Sequence, residues 1–168
     1  MFKKSLPRHE MINNPDEARA ERRRMGLPHV FDRITHRDIS IALVGSCEPV
    51  KRYYELLPDL AKRLPACHDY IPLWETNLEA VVAYDSNREL FVRYYYGSES
   101  DEPLGATYQQ FLSAVLLELI DSGIWDELDE LARLFDYKHV ARLRTFVESC
   151  GDDDFEESNR NFVASIPD

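Results

Sequence analysis

Residues 69–100, DYIPLWETNLEAVVAYDSNRELFVRYYYGSES, hold three runs rich in Val, Tyr, Phe and Trp, parted by short polar breaks. The runs are IPLWET (71–76), AVVAYDS (80–86) and ELFVRYYYG (89–97), with breaks at NLE (77–79) and around Asn87. β-Branched and aromatic residues suit a pleated, half-buried surface, and Asn or Asp between such runs supplies turn chemistry. The stretch therefore reads as a three-stranded antiparallel meander. Alternation along the third run places Leu90, Val92, Tyr94 and Tyr96 on one face, with Phe91, Arg93 and Tyr95 on the other. Aromatic residues on both faces require that helices cover at least one of them.

Beyond the meander the apolar period lengthens from 2 to 3.6. TYQQFLSAVLLELIDSG places Thr107 three residues before Gln110, a capping box, ahead of the stripe Tyr108, Phe111, Leu112, Val115, Leu116 and Leu119, and Gly123 stops it. IWDELDELARLFD repeats the pattern with Trp125, Leu128, Leu131 or Ala132, and Phe135. DYKHVARLRTFVESCG repeats it again with Val140, Leu143, Phe146 and Val147, closing at Gly151. Strands grouped before a run of three helices indicate the α+β class: an antiparallel meander packed with helices, three of them C-terminal to the sheet.

Upstream, ISIALVG (39–45) fits a buried strand, although its period does not exclude a helical segment. EPVKRYYELLPDLAKRLP (48–65) aligns Val50, Tyr53, Tyr54, Leu57 and Leu60, with Pro58 ending or kinking a helix near Leu57. Residues 1–26 read as a basic, partly helical extension: Pro15 at the first turn, arginines late, Gly26 as the stop, and almost no apolar face. Without that face the helix would dock weakly, and Arg22, Arg23 and Arg24 read as a solvated helix end rather than a nucleic-acid patch. Residues 27–150 form the single α+β domain, and residues 151–168 an acidic, loosely held tail.

The chain of 168 residues carries a net charge of −11, unevenly spread. From Tyr94 to Ala132 there is no Lys or Arg, against nine acids: Glu99, Asp101, Glu102, Glu118, Asp121, Asp126, Glu127, Asp129 and Glu130. Residues 1–38 are the opposite, with nine basic and six acidic side chains. The acidic stretch repels phosphates and attracts a basic partner, which argues against direct nucleic-acid binding. Acidity that serves only solubility is the competing reading.

No apolar run is long enough to span a membrane, and MFKKSLPRHEMINN lacks the apolar core of a secretory signal. Cys47, Cys67 and Cys150 are odd in number and widely spaced, as idle thiols of a reducing cytoplasm are. No Gly-rich phosphate loop, nucleophile elbow or HExxH motif occurs, and the five histidines form no i, i+4 pair. No catalytic residue, metal site or cofactor is assigned. Cys67-His68-Asp69, with Glu75, is the best cluster from which a thiol- or metal-dependent enzyme could be built, ahead of Asp32, His36 and Asp38, yet zinc sites favour spaced ligands. Trp74 reads as core. Glu75 either faces solvent or, with Asp85 on the adjacent strand, holds a cation or a partner's arginine.

The strand IPLWETN, the strand ending in Tyr84-Asp85, the third strand, and a helix opening TYQQFL together resemble the SUKH superfamily, the SMI1/KNR4-like proteins. The matching positions are Ile71, Pro72, Leu73, Trp74, Glu75, Asn77, Tyr84, Asp85, Phe111 and Leu112, within residues 69–120. The chain departs from the family pattern in lacking Asn-Gly before the first strand and in carrying TNLE after it. The resemblance implies binding rather than catalysis, since many relatives resemble immunity proteins that block a toxin, often a nuclease, and others regulatory scaffolds. With the charge pattern it yields one expectation: a non-enzymatic module that binds a basic protein through Glu75, Asp85, Glu99, Asp101, Glu102, Asp126, Glu127, Asp129 and Glu130. A self-associating domain, joined through Trp125 and the C-terminal helices, is the alternative.

Overall fold

The computed structural model describes residues 15–35, 47–48, 70–76, 80–95, 98, 100–121, 123, 125–150 and 155–168. The element order is α1 (Pro15–Arg24), α2 (Val30–Thr35), β1 (Cys47–Glu48), β2 (Tyr70–Thr76), β3 (Ala80–Asp85), β4 (Leu90–Tyr95), β5 (Asp101–Gly105), α3 (Tyr108–Asp121), α4 (Leu128–Leu134), α5 (Val140–Ser149) and α6 (Phe155–Ala164). The class is α+β, as expected. The expected strand at 39–45 and nearly all of the expected helix at 48–65 lie outside the described residues.

The meander forms the middle of a five-stranded antiparallel sheet of order β1-β2-β3-β4-β5. β3 and β4 pair without interruption from Ala80↔Tyr95 to Asp85↔Leu90. β2 slips against β3 between Pro72 and Trp74, where proline has no N–H for the ladder. The slip leaves Leu73 and Trp74, neighbours in sequence, both buried in one core. β5 was not legible as a strand because DEPLG carries two acids and a proline, the residues that protect a sheet edge.

Both sheet faces are covered. Val81, Ala83, Val92 and Tyr94 are buried, as are Trp74, Val82 and Phe91. On the helix side Phe91 stacks on Phe111 at 4.5 Å between centroids, and Trp74 lies 5.4 Å from Phe111 and 6.0 Å from Phe31. Offset rings at these separations stabilise beyond their buried area. Trp74 is core.

Chain geometry at the β5–α3 junction fixes how closely the helix meets the sheet. Gly105 has φ of 157°, and a Cβ there would fall 2.7 Å from the Phe111 amide nitrogen. Thr107 Oγ1 accepts a hydrogen bond from the Gln110 amide at 3.2 Å. The reciprocal half of the capping box is displaced by one residue: Gln110 Oε1 accepts from the Ala106 amide at 3.0 Å.

Two ends of the chain depart from expectation. α1 is docked, not a solvated extension: Arg22 is 2% exposed and bonds Asp32 Oδ1 at 3.2 Å, while Phe31 enters the core. Arg23 and Arg24 do face solvent. A helix with no apolar stripe can dock by one buried guanidinium when a carboxylate waits for it. At the other end, residues 155–168 are not a loose tail. α6 is a fourth helix after the sheet; Phe162 stacks on Phe146 at 4.3 Å, and Ile166 is buried. Gln110, Arg142 and His139 hold the carbonyls of Ile166, Ser165 and Pro167. Phe162→Ala is expected to cost about 3 kcal/mol of stability, read as a lower urea midpoint at unchanged slope.

Candidate binding surface

The nine acids expected to meet a partner fall into separate environments. Glu75 stands opposite Val81 on β3, whereas Asp85 stands opposite Tyr70 at the far end of that strand. Four residues of strand separate the two positions by roughly 13 Å. The two positions are therefore not cross-strand neighbours, and Asp85 is committed elsewhere. Glu99 lies outside the described residues.

Asp85 is fully buried and closes the β3–β4 turn. Its Oδ1 accepts from the amides of Asn87 at 2.9 Å and Arg88 at 3.2 Å, and its Oδ2 from Arg88 Nε at 2.7 Å. Burial alone would raise its pKa, but the Arg88 guanidinium and the two amides outweigh burial and hold the carboxyl below its ordinary value. Arg88 reaches on to both oxygens of Asp101. Asp101 also accepts from the Tyr70 hydroxyl at 2.6 Å, and its side chain is 7% exposed. Burial, then that carboxylate, pushes the Tyr70 hydroxyl well up from its usual pKa, so it stays protonated at neutral pH. Asp85, Arg88, Asp101 and Tyr70 thus form a closed network that ties the β3–β4 turn to β5. Its two carboxylates are buried, while the Arg88 side chain that joins them is 37% exposed.

On the helix side of β4, Arg93 extends between two carboxylates, Glu102 on β5 at 3.2 Å and Glu118 on α3. Burial works to lower the Arg93 pKa, but Glu118 and Glu102 outweigh it, and the guanidinium remains charged. Glu102 and Glu118 keep about half their side chains in solvent, with values of 49% and 48%. Tyr95, two residues along β4, is an exposed aromatic.

The remaining acids gather where α4 begins. Asp126, Glu127, Asp129 and Glu130 are all exposed. Within this group the described ion pair is Asp129 with Arg144 of α5, at 3.1 Å. The Arg144 guanidinium carbon also lies 4.9 Å from the centre of the Trp125 ring. Trp125 is half-buried and packs on the core. Sequence reasoning singled out Trp125 and the four acids but not Arg144, because its approach depends on how α5 crosses the start of α4.

Among the described residues no group of three or more His, Cys, Asp or Glu is placed to hold a metal ion. Cys67, His68 and Asp69 lie outside the described residues, and Cys150 is a half-buried free thiol at the end of α5. No described helix is long and apolar enough to cross a membrane. Comparison with protein-family models, with curated proteins and with solved structures found no match to this chain.

Proposed function

We propose that this chain is a non-enzymatic binding module of the cytoplasm that captures a basic protein, in the manner of an immunity or regulatory protein set against a nuclease toxin. The observation that carries the reading is the group Asp126, Glu127, Asp129 and Glu130, exposed together within a stretch of 39 residues that has no Lys or Arg. Such a surface draws in an oppositely charged partner, speeds encounter and rejects phosphate-bearing ligands. Glu102 and Glu118 add exposed carboxylate to the same stretch. Asp85 and Asp101 contribute from within, by holding the β3–β4 turn to β5, the strand that carries Glu102. The SUKH-like pattern of residues 69–120 supports the same reading.

The test uses tagged protein in lysate of its native host at low salt, with the retained proteins identified by mass spectrometry. The expected result is one stoichiometric basic partner, released by salt. Reversing Asp126, Glu127, Asp129 and Glu130 to lysine is expected to slow its association at least about tenfold while leaving the melting temperature within a few degrees of wild type. A partner that binds the reversed variant as fast as wild type would remove the acidic group from the function. A bait that stands alone and dimerises with concentration would instead favour self-association through Trp125 and the C-terminal helices.

A further inference from the structure

Trp125, Asp129 and Arg144 make an arrangement that recognises a guanidinium. An aromatic ring attracts the cation through its face, and a carboxylate at the rim takes the N–H groups. Here the guanidinium is the protein's own. Arg144 lies 4.9 Å from the ring centre and 3.1 Å from Asp129, whose side chain is 74% exposed while that of Arg144 is 30% exposed. The arginine is thus the more sheltered member, in contact with both the ring and the carboxylate.

Asp126, Glu127 and Glu130 surround it in sequence, are exposed, and make no ion pair among the described residues. Of the four carboxylates Asp129 alone has a described ion pair, with Arg144, and Glu148, one turn further along α5, is also exposed. Nor does the core need Arg144, because the ring of Trp125 packs against the apolar cluster from its other contacts. A surface cation–π contact and an exposed ion pair are each weak, so Arg144 can be displaced by a competing cation that brings further contacts.

We propose that the Trp125 ring and the carboxylates around it form an arginine-binding subsite that Arg144 fills in the free protein, and that a basic partner enters it by inserting an arginine of its own in place of Arg144. The inference deepens the binding-module reading and rests on it: it names the side chain the partner presents and the internal residue that competes with it. Because the resting protein occupies its own subsite, the apparent affinity for the partner is the intrinsic one multiplied by the fraction of molecules in which Arg144 has left it. Arg144 then acts as an affinity filter. A diffuse cationic surface fails to displace it, and an arginine held in the right position succeeds.

The experiment titrates a short oligo-arginine peptide, and an oligo-lysine peptide of equal length, into wild type, Arg144→Gln, Arg133→Gln and the double variant Arg144→Gln/Trp125→Leu. Binding is followed by calorimetry at low salt and by tryptophan fluorescence, with thermal melts to establish that each variant is folded. Arg133 is exposed at the end of α4 and the described cation–π contact to Trp125 is made by Arg144, so the Arg133 substitution changes the net charge equally and leaves that contact in place. Arg144→Gln is expected to bind oligo-arginine about tenfold more tightly than wild type, with a saturable change in Trp125 emission and a smaller gain for oligo-lysine. The double variant is expected to lose the gain. Equal gains for Arg144→Gln and Arg133→Gln would overturn the proposal, since bulk charge would then account for the effect. So would equal gains for both peptides, or a gain that survives loss of Trp125. Failure here can be told apart from failure of the broader reading. If the fourfold lysine variant loses a partner that Arg144→Gln binds no better than wild type does, the acidic surface stands and the arginine subsite falls.

Discussion

Gly105→Ala is expected to destabilise the protein by about 3–4 kcal/mol, the sum of overpacking against backbone and an unfavourable φ for a residue with a Cβ. The new methyl would fall 2.7 Å from both the Phe111 amide nitrogen and Gln110 Cβ, closer than real Cβ contacts come. Neither neighbour can yield cheaply. The Phe111 amide donates to the Thr107 carbonyl at 3.0 Å, in the first turn of α3. The Phe111 ring, fully buried, holds both Phe91 and Trp74. To relieve the clash α3 must lift from β5, and the aromatic core opens with it. Chemical denaturation of purified Gly105→Ala measures the loss directly. Gly123→Ala serves as the comparison, since it too has positive φ, at 94°, but a Cβ there meets nothing within 4 Å. It should cost only the conformational part, about 1 kcal/mol. Equal losses at the two positions would show that the close approach of α3 to the sheet is not what Gly105 provides.

Asp85→Ala is expected to cost about 3 kcal/mol, because it strands the amides of Asn87 and Arg88 and removes one of the two carboxylates that hold the Arg88 side chain. Asp85→Asn keeps an oxygen for the amides and should cost less, about 1–2 kcal/mol. Acid separates the two effects. The carboxyl has a native pKa held below its ordinary 3.8. Its stabilising contribution is therefore complete above the ordinary value and disappears as pH falls through the lower native one. Wild type should lose stability on acidification through that window. The part of the loss that belongs to Asp85 should be missing from Asp85→Asn, so the two stability curves converge at low pH. Curves that remain parallel would mean that Asp85 is not the charged centre of the turn.

These expectations give Asp85 and Asp101 a different part from the one their composition suggests. By charge alone they are acids among acids, like Asp126 or Glu130. The difference is three-dimensional: Arg88 lies three residues beyond Asp85 across a tight turn, and β5 brings Asp101 and the Tyr70 hydroxyl to the same guanidinium. An Asp followed three residues later by Arg, between two strand-like runs, was the available signal for the first of these contacts. No local pattern announced the second. The same holds for Asp32, which draws Arg22 into the interior and receives Arg19 and Arg23 as well.

Hydropathic period alone determined the meander, the alternation along its third strand and three of the helices that follow it, because a strand or helix with one apolar stripe has few ways to bury that stripe. It also determined that Trp74 is core and that the 94–132 stretch is acidic. Tertiary structure alone decided which acids are exposed and which are buried, that Phe162 and Ile166 fasten the C-terminal segment, and that Arg144 lies against Trp125. The physical reason is that apolar burial follows from local repeats, whereas the state of a charged side chain depends on whichever group the fold brings within about 4 Å of it. That neighbour is often distant in sequence: Arg93 meets Glu118 across 25 residues, and Tyr70 meets Asp101 across 31.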